Sequence, residues 1–395
     1  MKNLYHSDIY KFNTPVKSYW EETSNEKLNL EKLTKNINCE IVVVGGGYTG
    51  LLCAINLIEN YNLDVILIEA GKIGWGASSR NGGFCSFPPI KTSFKKLQKI
   101  YGKEETKKFF RNAVEGSNYT KDIISNYNID CDVTGESNFI VAHHPNKFKQ
   151  IKEQAEVYKS EFGIETELYS KEEFNKFGHG GNEQFGALSY KPGFAINPLK
   201  FVNGITKYAL SKKLKIFEHT LVDKINKNNG YYTLKSKEGS VKAKKVVVAT
   251  NGFYQEGLVP QLNSRILPVI SNIIVTRKLT DKEIDLHNFK TFSPIVNTKN
   301  LLYYYRKLPD NRILFGTRGD YIGSDQSNLD RAKIMEKFFK NIFPDLASIS
   351  IDYNWRGLIA MSQKLTPSIG KIENEEIYYG FGYHGVGVSS APWTG

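Results

Sequence analysis

The chain is poor in cysteine: Cys39, Cys53, Cys85 and Cys131 are the only four in 395 residues, spaced 14, 32 and 46 apart. No Cys-x-x-Cys pair occurs, so neither a zinc ribbon nor a disulfide framework is indicated. Cys39 and Cys53 fall in an apolar strand and helix and read as packing residues. His143 and His144 close a predicted strand at 139–142 but lack a third ligand, so no metal is expected. No apolar run approaches the roughly 18 residues of a membrane span. The first 38 residues hold no apolar signal core, which predicts a cytoplasmic protein. Arginine is scarce as well, nine of the 53 basic residues. The net charge of +12 therefore comes from lysines scattered through segments such as 95–108, beside Glu104 and Glu105. That is a solvated basic surface, with no zinc-finger, RNA-binding or helix-turn-helix pattern to make a nucleic-acid partner of it. A Ser-His-Asp or paired-carboxylate constellation is also missing.

What is present starts with size. A length of 395 residues, 40% hydrophobic and 13% aromatic, is ample for a large core divided into two or three lobes. Near the start, Cys39-Glu40-Ile41-Val42-Val43-Val44 runs into Gly45-Gly46-Gly47-Tyr48-Thr49-Gly50, then an apolar helix, then Val65-Ile66-Leu67-Ile68-Glu69-Ala70. Strand, glycine turn, helix, strand and acid follow in the order of a dinucleotide-binding βαβ unit. Gly45 makes the turn, Gly47 admits a pyrophosphate, and Gly50 lets helix and strand pack closely. The phosphates meet the unpaired N–H groups of the helix start. Glu69, 19 residues past Gly50, is placed to accept the two ribose hydroxyls.

A second small-residue segment follows at once: Gly74-Trp75-Gly76-Ala77-Ser78-Ser79-Arg80-Asn81-Gly82-Gly83-Phe84. Such a loop lets backbone lie against a long flat ligand. Here the chain resembles the D-amino-acid-oxidase-like FAD-dependent oxidoreductase superfamily, and within it the gamma-glutamylputrescine oxidoreductase branch. The resemblance continues through Asn197-Pro198 and its helix at 199–210, through Val246-Val247-Val248-Ala249-Thr250-Asn251-Gly252, and through Gly380-Phe381-Gly382-Tyr383-His384-Gly385-Val386-Gly387.

The resemblance implies an α/β (α+β) fold, a glutathione-reductase-type FAD-binding domain interleaved with an antiparallel-sheet substrate domain. A strap of 1–37, carrying Tyr5, Tyr10, Phe12, Tyr19 and Trp20, would precede an FAD-binding domain of 38–87, 193–255 and 352–395. Residues 88–192 and 256–351 would form the substrate domain, with helices at 94–101, 104–127, 145–162 and 330–343 and strands at 265–276, 301–306 and 312–318. Short strands are also expected at 216–218, 220–225, 231–234 and 241–248. FAD would be held by Gly45, Gly47, Tyr48, Thr49, Gly50, Glu69, Ala70, Gly76, Ala77, Ser78, Arg80, Asn81, Gly82 and Gly83. Val222, Ala249, Thr250, Gly252, Gly382, His384, Gly385, Val386 and Gly387 complete that set. Relatives that tether flavin use a cysteine in the C-terminal third, where this chain has none, so FAD is expected to be noncovalent. Cys85 is the one thiol near its expected position.

The implied reaction is oxidation of a C–N bond in a small amine or amino-acid derivative, gamma-glutamylputrescine-like, with hydride passing to flavin N5 and the imine then hydrolysed. O2 or another acceptor would take the electrons, and no strong base is required because the free amine reacts. Arg80, Asn81 and His384 are candidates to stabilise the reduced ring. Strand alternation puts Tyr304 and Arg306 on one face and Tyr303 and Tyr305 on the other. Arg306 or Arg318 would suit a substrate carboxylate or amide, and aromatics at 303–305 and 381–383 could wall the substrate slot. A 2-hydroxyacid dehydrogenase, an amino-acid oxidase and a non-catalytic flavoprotein subunit remain the alternatives. Two departures stand out. Lys364 occupies a position where relatives usually carry Asp. Ser389, Ser390 and Pro392 look like the cap and first turn of a helix whose body is absent, so a truncated chain, or a naturally short one, is expected.

Overall fold

The computed structural model describes residues 4–24, 26, 28–87 and 93–395. The expected lobe boundary at 87/88 and parts of the 1–37 strap therefore touch residues outside those described. The strand Asn36–Val44 ends in four apolar residues that are all buried, as a strand covered on both faces requires. It pairs in parallel with Val65–Ile68 on one side and Ser240–Val248 on the other. The helix Tyr48–Tyr61 packs Leu51, Leu52, Ala54 and Ile55 on one face of this sheet. A second cluster including Val42, Val44, Ile66, Ile68, Val246 and Tyr232 fills the other face. Strands Lys215–Phe217, Ile377–Phe381 and Ser368–Lys371 extend the layer, and the hairpin of Lys224–Asn228 with Tyr231–Lys235 branches from Ser240–Val248. At the turn, Gly45 has φ +114°, and a Cβ there would stand 2.6 Å from the Ala249 carbonyl oxygen.

A second eight-stranded sheet is ordered, by hydrogen-bonded neighbours, as Ile351–Met361, Leu267–Thr276, Ile313–Arg318, Tyr304–Lys307, Ile295–Asn297, Asn138–Val141, Ala187–Tyr190 and Thr166–Tyr169. Its pairs are antiparallel except Ile295–Asn297 with Asn138–Val141, which is parallel. Phe139, Phe174, Phe289, Phe315, Phe339 and Phe343 pack with Tyr303 and Tyr305 in one cluster on this sheet. The strand Ile351–Met361 was expected with the first lobe, yet it pairs along most of its length with Leu267–Thr276 in the second sheet.

Three other segments differ from expectation. Residues 220–223 are not strand: Thr220 N–H donates to the Glu69 carbonyl, and the ladder begins only at Lys224. The strand expected from 301 starts at Tyr304, because Asn297 Oδ1 accepts the N–H groups of Lys299 and Tyr303 and bends the chain first. The final segment does carry a helix body, Gly387–Thr394, with Pro392 inside it. Ser389 does not cap that helix. Its hydroxyl donates to the Ser86 and Val386 carbonyls, while Thr120 Oγ1 donates to the Val388 carbonyl and Thr49 Oγ1 to that of Ala391.

The lead segment is a structural part of both layers. It holds a 3-10 turn, Ser7–Tyr10, and a short helix, Tyr19–Thr23, capped by Ser18. Tyr5 donates its hydroxyl to the Pro268 carbonyl, and His6 N–H donates to that of Ile322, both toward the second sheet. Trp20, 1% exposed, reaches toward the glycine loops of the first.

Candidate active site

A cleft runs between the carboxyl ends of the parallel strands and the second sheet. At its inner end Gly47 leads into the helix Tyr48–Tyr61 without a side chain of its own to cap it, and of the first-turn N–H groups that of Tyr48 is bonded to Ser78 Oγ. Gly45, Gly47, Glu69, Ala70 and Val222 all line this end. The Glu69 carboxylate accepts N–H bonds from Gly46 at 2.7 Å and Gly71 at 2.9 Å. Burial pushes its pKa up, against the pull of those bonds. Thr250 also lines the cleft, and its buried hydroxyl has no partner among the described residues.

The loop of 74–83 forms the long wall, and three tryptophans fix it. Trp20 Nε1 donates to the Asn81 carbonyl, Trp355 Nε1 to that of Arg80, and Trp75 Nε1 to that of Thr14. Ser78 Oγ accepts Tyr48 N–H at 3.1 Å, tying this loop to the first glycine turn. Asn81 is spent on the loop itself: its amide donates to the Ala77 and Ser78 carbonyls, and its oxygen accepts Gly83 N–H at 2.7 Å. Arg80 lies over the Trp75 ring at 3.9 Å, with Nε donating to the Trp75 carbonyl and Nη1 to that of Arg356.

At the outer end Tyr304, Arg318 and His384 come together with Ser271. Tyr304 and Ser271 share a hydrogen bond of 3.0 Å, and burial pushes the phenol up to about 12. Arg318 touches Met361 Sδ at 3.9 Å and makes no ion pair among the described residues. Its backbone carbonyl accepts Arg331 Nη2 at 2.5 Å. Burial lowers His384 to about 4. Ser362 Oγ, which donates to the Thr366 carbonyl, lies 3.1 Å from His384 Nε2, while Nδ1 is buried and has no partner among the described residues.

Most of the residues singled out from sequence line this one cleft: Gly45, Gly47, Tyr48, Thr49, Glu69, Ala70, Gly76, Ala77, Ser78, Arg80, Asn81, Gly82, Val222, Ala249, Thr250, Gly252, Tyr304, Arg318, His384, Gly385 and Gly387. Gly50, Gly83, Gly382, Val386 and Arg306 stand behind its surface. Gly50 packs against the first turn, where an added Cβ would lie 1.9 Å from the Gly45 carbonyl oxygen. Arg306 does not reach a substrate: it is 1% exposed, its Nη2 given to the Ile196 carbonyl. Of the expected aromatic wall, Tyr304 and Tyr383 face the cleft, whereas Tyr303, Tyr305 and Phe381 are core. Cys85 is fully buried and its thiol is pushed up to about 12, inert beside its cleft-lining neighbours Phe84 and Ser86. Among the described residues no three His, Cys, Asp or Glu side chains gather for a metal, and no helix is long and apolar enough to cross a membrane.

Phe12 and Ser271 were missed as wall residues. Phe12 packs on Trp75 at 5.0 Å and Phe253 at 6.2 Å, and it lines both the cleft and a wide outer groove. Its only sequence signal was the aromatic richness of the lead segment. Ser271 sits mid-strand with none.

The uncapped helix start, the glycine walls, the orphaned Thr250 hydroxyl and the Glu69 carboxylate fit a dinucleotide of FAD's shape. Comparison with known proteins agrees on the cofactor. A family profile described as "DAO: FAD dependent oxidoreductase" matches residues 40–395. Gamma-glutamylputrescine oxidoreductase of Escherichia coli (strain K12) is 29% identical over 382 residues, 96% of this chain and 87% of that one. Glycine oxidase of Bacillus subtilis (strain 168) is 24% identical over 371 residues, 90% of each. Among solved structures, glycine oxidase from Geobacillus kaustophilus superposes with a TM-score of 0.73 at 16% identity, covering 90% of this chain and 92% of that one. L-proline dehydrogenase from P. horikoshii does so with 0.72 at 21%, covering 92% and 91%. These two share the fold.

Proposed function

This chain belongs to the DAO family of FAD-dependent oxidoreductases, and from that premise we propose that it oxidises the C–N bond of a small amine or amino-acid derivative, with gamma-glutamylputrescine-like compounds as the substrate class. FAD, when bound, supplies the two-electron acceptor. Gly45, Gly47, the start of the helix Tyr48–Tyr61 and Thr250 would hold its phosphates, Glu69 its ribose, and the 77–83 loop its ring-bearing half.

The observation that carries the reading is Arg318, a guanidinium without a counter-ion among the described residues that lines both the cleft and the outer groove. A substrate carboxylate or amide gives it the acceptor it lacks. Its charge also favours a neutral amine over an ammonium beside it, so the amine settles in the form that reacts and no side-chain base is needed. His384, neutral above about pH 4, adds no second charge. Tyr304, protonated below about 12, keeps a hydroxyl to donate. The outer groove carries Arg265 and Lys364 as well as Arg318, against Glu256 and Glu373, with Lys371 paired to Glu376, so charges of both signs are at hand for an extended, polar substrate. The similarity to gamma-glutamylputrescine oxidoreductase across nearly the whole chain supports the same class.

The test is anaerobic mixing of FAD-loaded protein with gamma-glutamylputrescine, putrescine, sarcosine, glycine and 2-hydroxyglutarate, following the flavin absorbance. Bleaching by an amine, fastest with gamma-glutamylputrescine, is expected. Bleaching by the hydroxy acid alone would move the protein to the hydroxyacid dehydrogenases. No bleaching with any of the five would make it a non-catalytic flavoprotein.

A further inference from the structure

Arg306 is a buried cation with no anion bonded to it among the described residues. Its Nη2 donates to the Ile196 carbonyl at 2.7 Å, while Nε and Nη1 have no partner among the described residues. Its guanidinium lies over the Trp20 ring at 5.4 Å. Asp132 is the carboxylate that acts on it, and that group is already committed to Lys200 at 2.6 Å and to the Asn197 amide. Leaving a charge buried without a counter-ion is costly, and a water bonded to Nε or Nη1 would satisfy hydrogen bonds without neutralising it. The position of this charge is therefore informative. On one side of it is Gly83, where an added Cβ would stand 2.8 Å from Nη2. Gly83 is followed back along the chain by Gly82, which lines the cleft and meets the ring of Tyr304, two residues before Arg306 on the same strand face. The cation thus sits one peptide layer behind the cleft wall. Arg80, a second buried guanidinium, bonded among the described residues to backbone carbonyls and an aromatic face, lies in the same loop.

We infer that Arg306 is a positioning residue for the redox step: its uncompensated charge, fixed behind Gly82 and Gly83, raises the reduction potential of FAD held in the cleft. Reduction adds negative charge to the ring. A cation that is already in place, shielded from water and with no carboxylate bonded to it among the described residues, favours the reduced form over the oxidised one. Burial lowers the Arg306 pKa only to about 9, so the group is charged at neutral pH. The inference rests on FAD occupying this cleft.

The experiment is the midpoint potential of the full-length FAD-loaded protein, measured by equilibration with reference dyes, for wild type, Arg306→Met, Arg306→Gln and Arg306→Lys. Both neutral variants are expected to shift the reduced-to-oxidised ratio at least tenfold toward oxidised, about 30 mV for a two-electron couple. Arg306→Lys, which keeps the charge, should recover most of the shift. Potentials that agree within about threefold in that ratio across all four proteins would overturn the inference. So would loss of FAD from all three variants, the charge-keeping Arg306→Lys included, since that describes a brace and not a charge. Wild-type protein that takes up no FAD fails the proposed function instead, which keeps the two failures apart.

Discussion

Arg318 and Arg306 lie on adjacent strands of one sheet and differ in what lies above them. Arg318 opens to the cleft and the groove, and Arg306 is sealed beneath a glycine loop. Replacing Arg318 by Ala removes a charged hydrogen-bond donor worth about 1.5–3 kcal/mol. The expected result is an apparent KM for a carboxylate-bearing amine raised roughly ten- to hundredfold, with a smaller change in kcat. Steady-state kinetics with gamma-glutamylputrescine or glycine reads it, and a KM within about twofold of wild type would remove Arg318 from substrate recognition. The two arginines also show how far a sequence reaches at this scale. Alternation along residues 303–306 gave the faces, and the structure has Tyr304 and Arg306 toward the glycine loop with Tyr303 and Tyr305 in the phenylalanine-rich cluster. Alternation says nothing of depth. What buries Arg306 is Trp20 and Gly83, more than 200 residues away in the chain, and no local pattern carries that.

Among the elements, the glycine turn and the acid that follows it do separable things. Gly50 has no room for a side chain, because a Cβ would meet the Gly45 carbonyl oxygen at 1.9 Å and that oxygen belongs to backbone. Gly50→Ala should destabilise protein stripped of FAD by about 1–3 kcal/mol, the cost of overpacking a well-packed core, and so lower its melting temperature. Glu69→Ala removes acceptors at the cleft, so it should weaken FAD binding on the order of tenfold or more and lower the melting temperature chiefly when FAD is present. Thermal melts of both variants with and without added FAD separate the two effects. Equal losses in both states for Glu69→Ala would mean that its bonds to the Gly46 and Gly71 N–H groups, and not a ribose, are what it is for. The βαβ unit was legible because each of its parts is local and its glycines are sterically forced. The 220–223 segment was not, since its residues have strand propensity but the Thr220 N–H is given to the Glu69 carbonyl and the ladder to the next strand starts only with the Asp223 N–H on the Lys235 carbonyl. The helix Gly387–Thr394 was read as a bare start because Pro392 resembles a first-turn residue, whereas it sits in the last turn.

Across the whole molecule, burial holds several histidines neutral. His179 and His384 are both lowered to about 4, and His143 and His287 are lowered as well. A histidine whose folded pKa lies below its unfolded value of roughly 6.5 gives stability that is complete above that value and is lost as pH falls toward the folded pKa, because the unfolded chain takes the proton first. Glu283 and Glu376, lowered to about 2 by Arg277 and Lys371, extend the loss to lower pH. Buried Glu69 and Glu218, both raised, act in the opposite direction. Melting temperature should therefore decline between about pH 6.5 and about pH 4.5, and His179→Asn should flatten part of that slope. A slope left unchanged in His179→Asn protein would show that this histidine takes up its proton equally well folded and unfolded. At this scale the two-sheet plan followed from the resemblance, but the place of the strand Ile351–Met361 did not, since a strand's sequence does not name its neighbour.

The lead strap has one more consequence, in the order of synthesis. Tyr5 leaves the ribosome 263 residues before the Pro268 carbonyl it bonds to, and Trp20 does so 61 residues before Asn81. At roughly 5–20 residues per second the gap is tens of seconds at the slow end. During that interval the strap's aromatic side chains have no seat, and the nascent chain must carry them unburied until both sheets exist. Closing the strap is thus a late event of biosynthesis although its codons are read early, and a chaperone that shields exposed aromatics would find its substrate there.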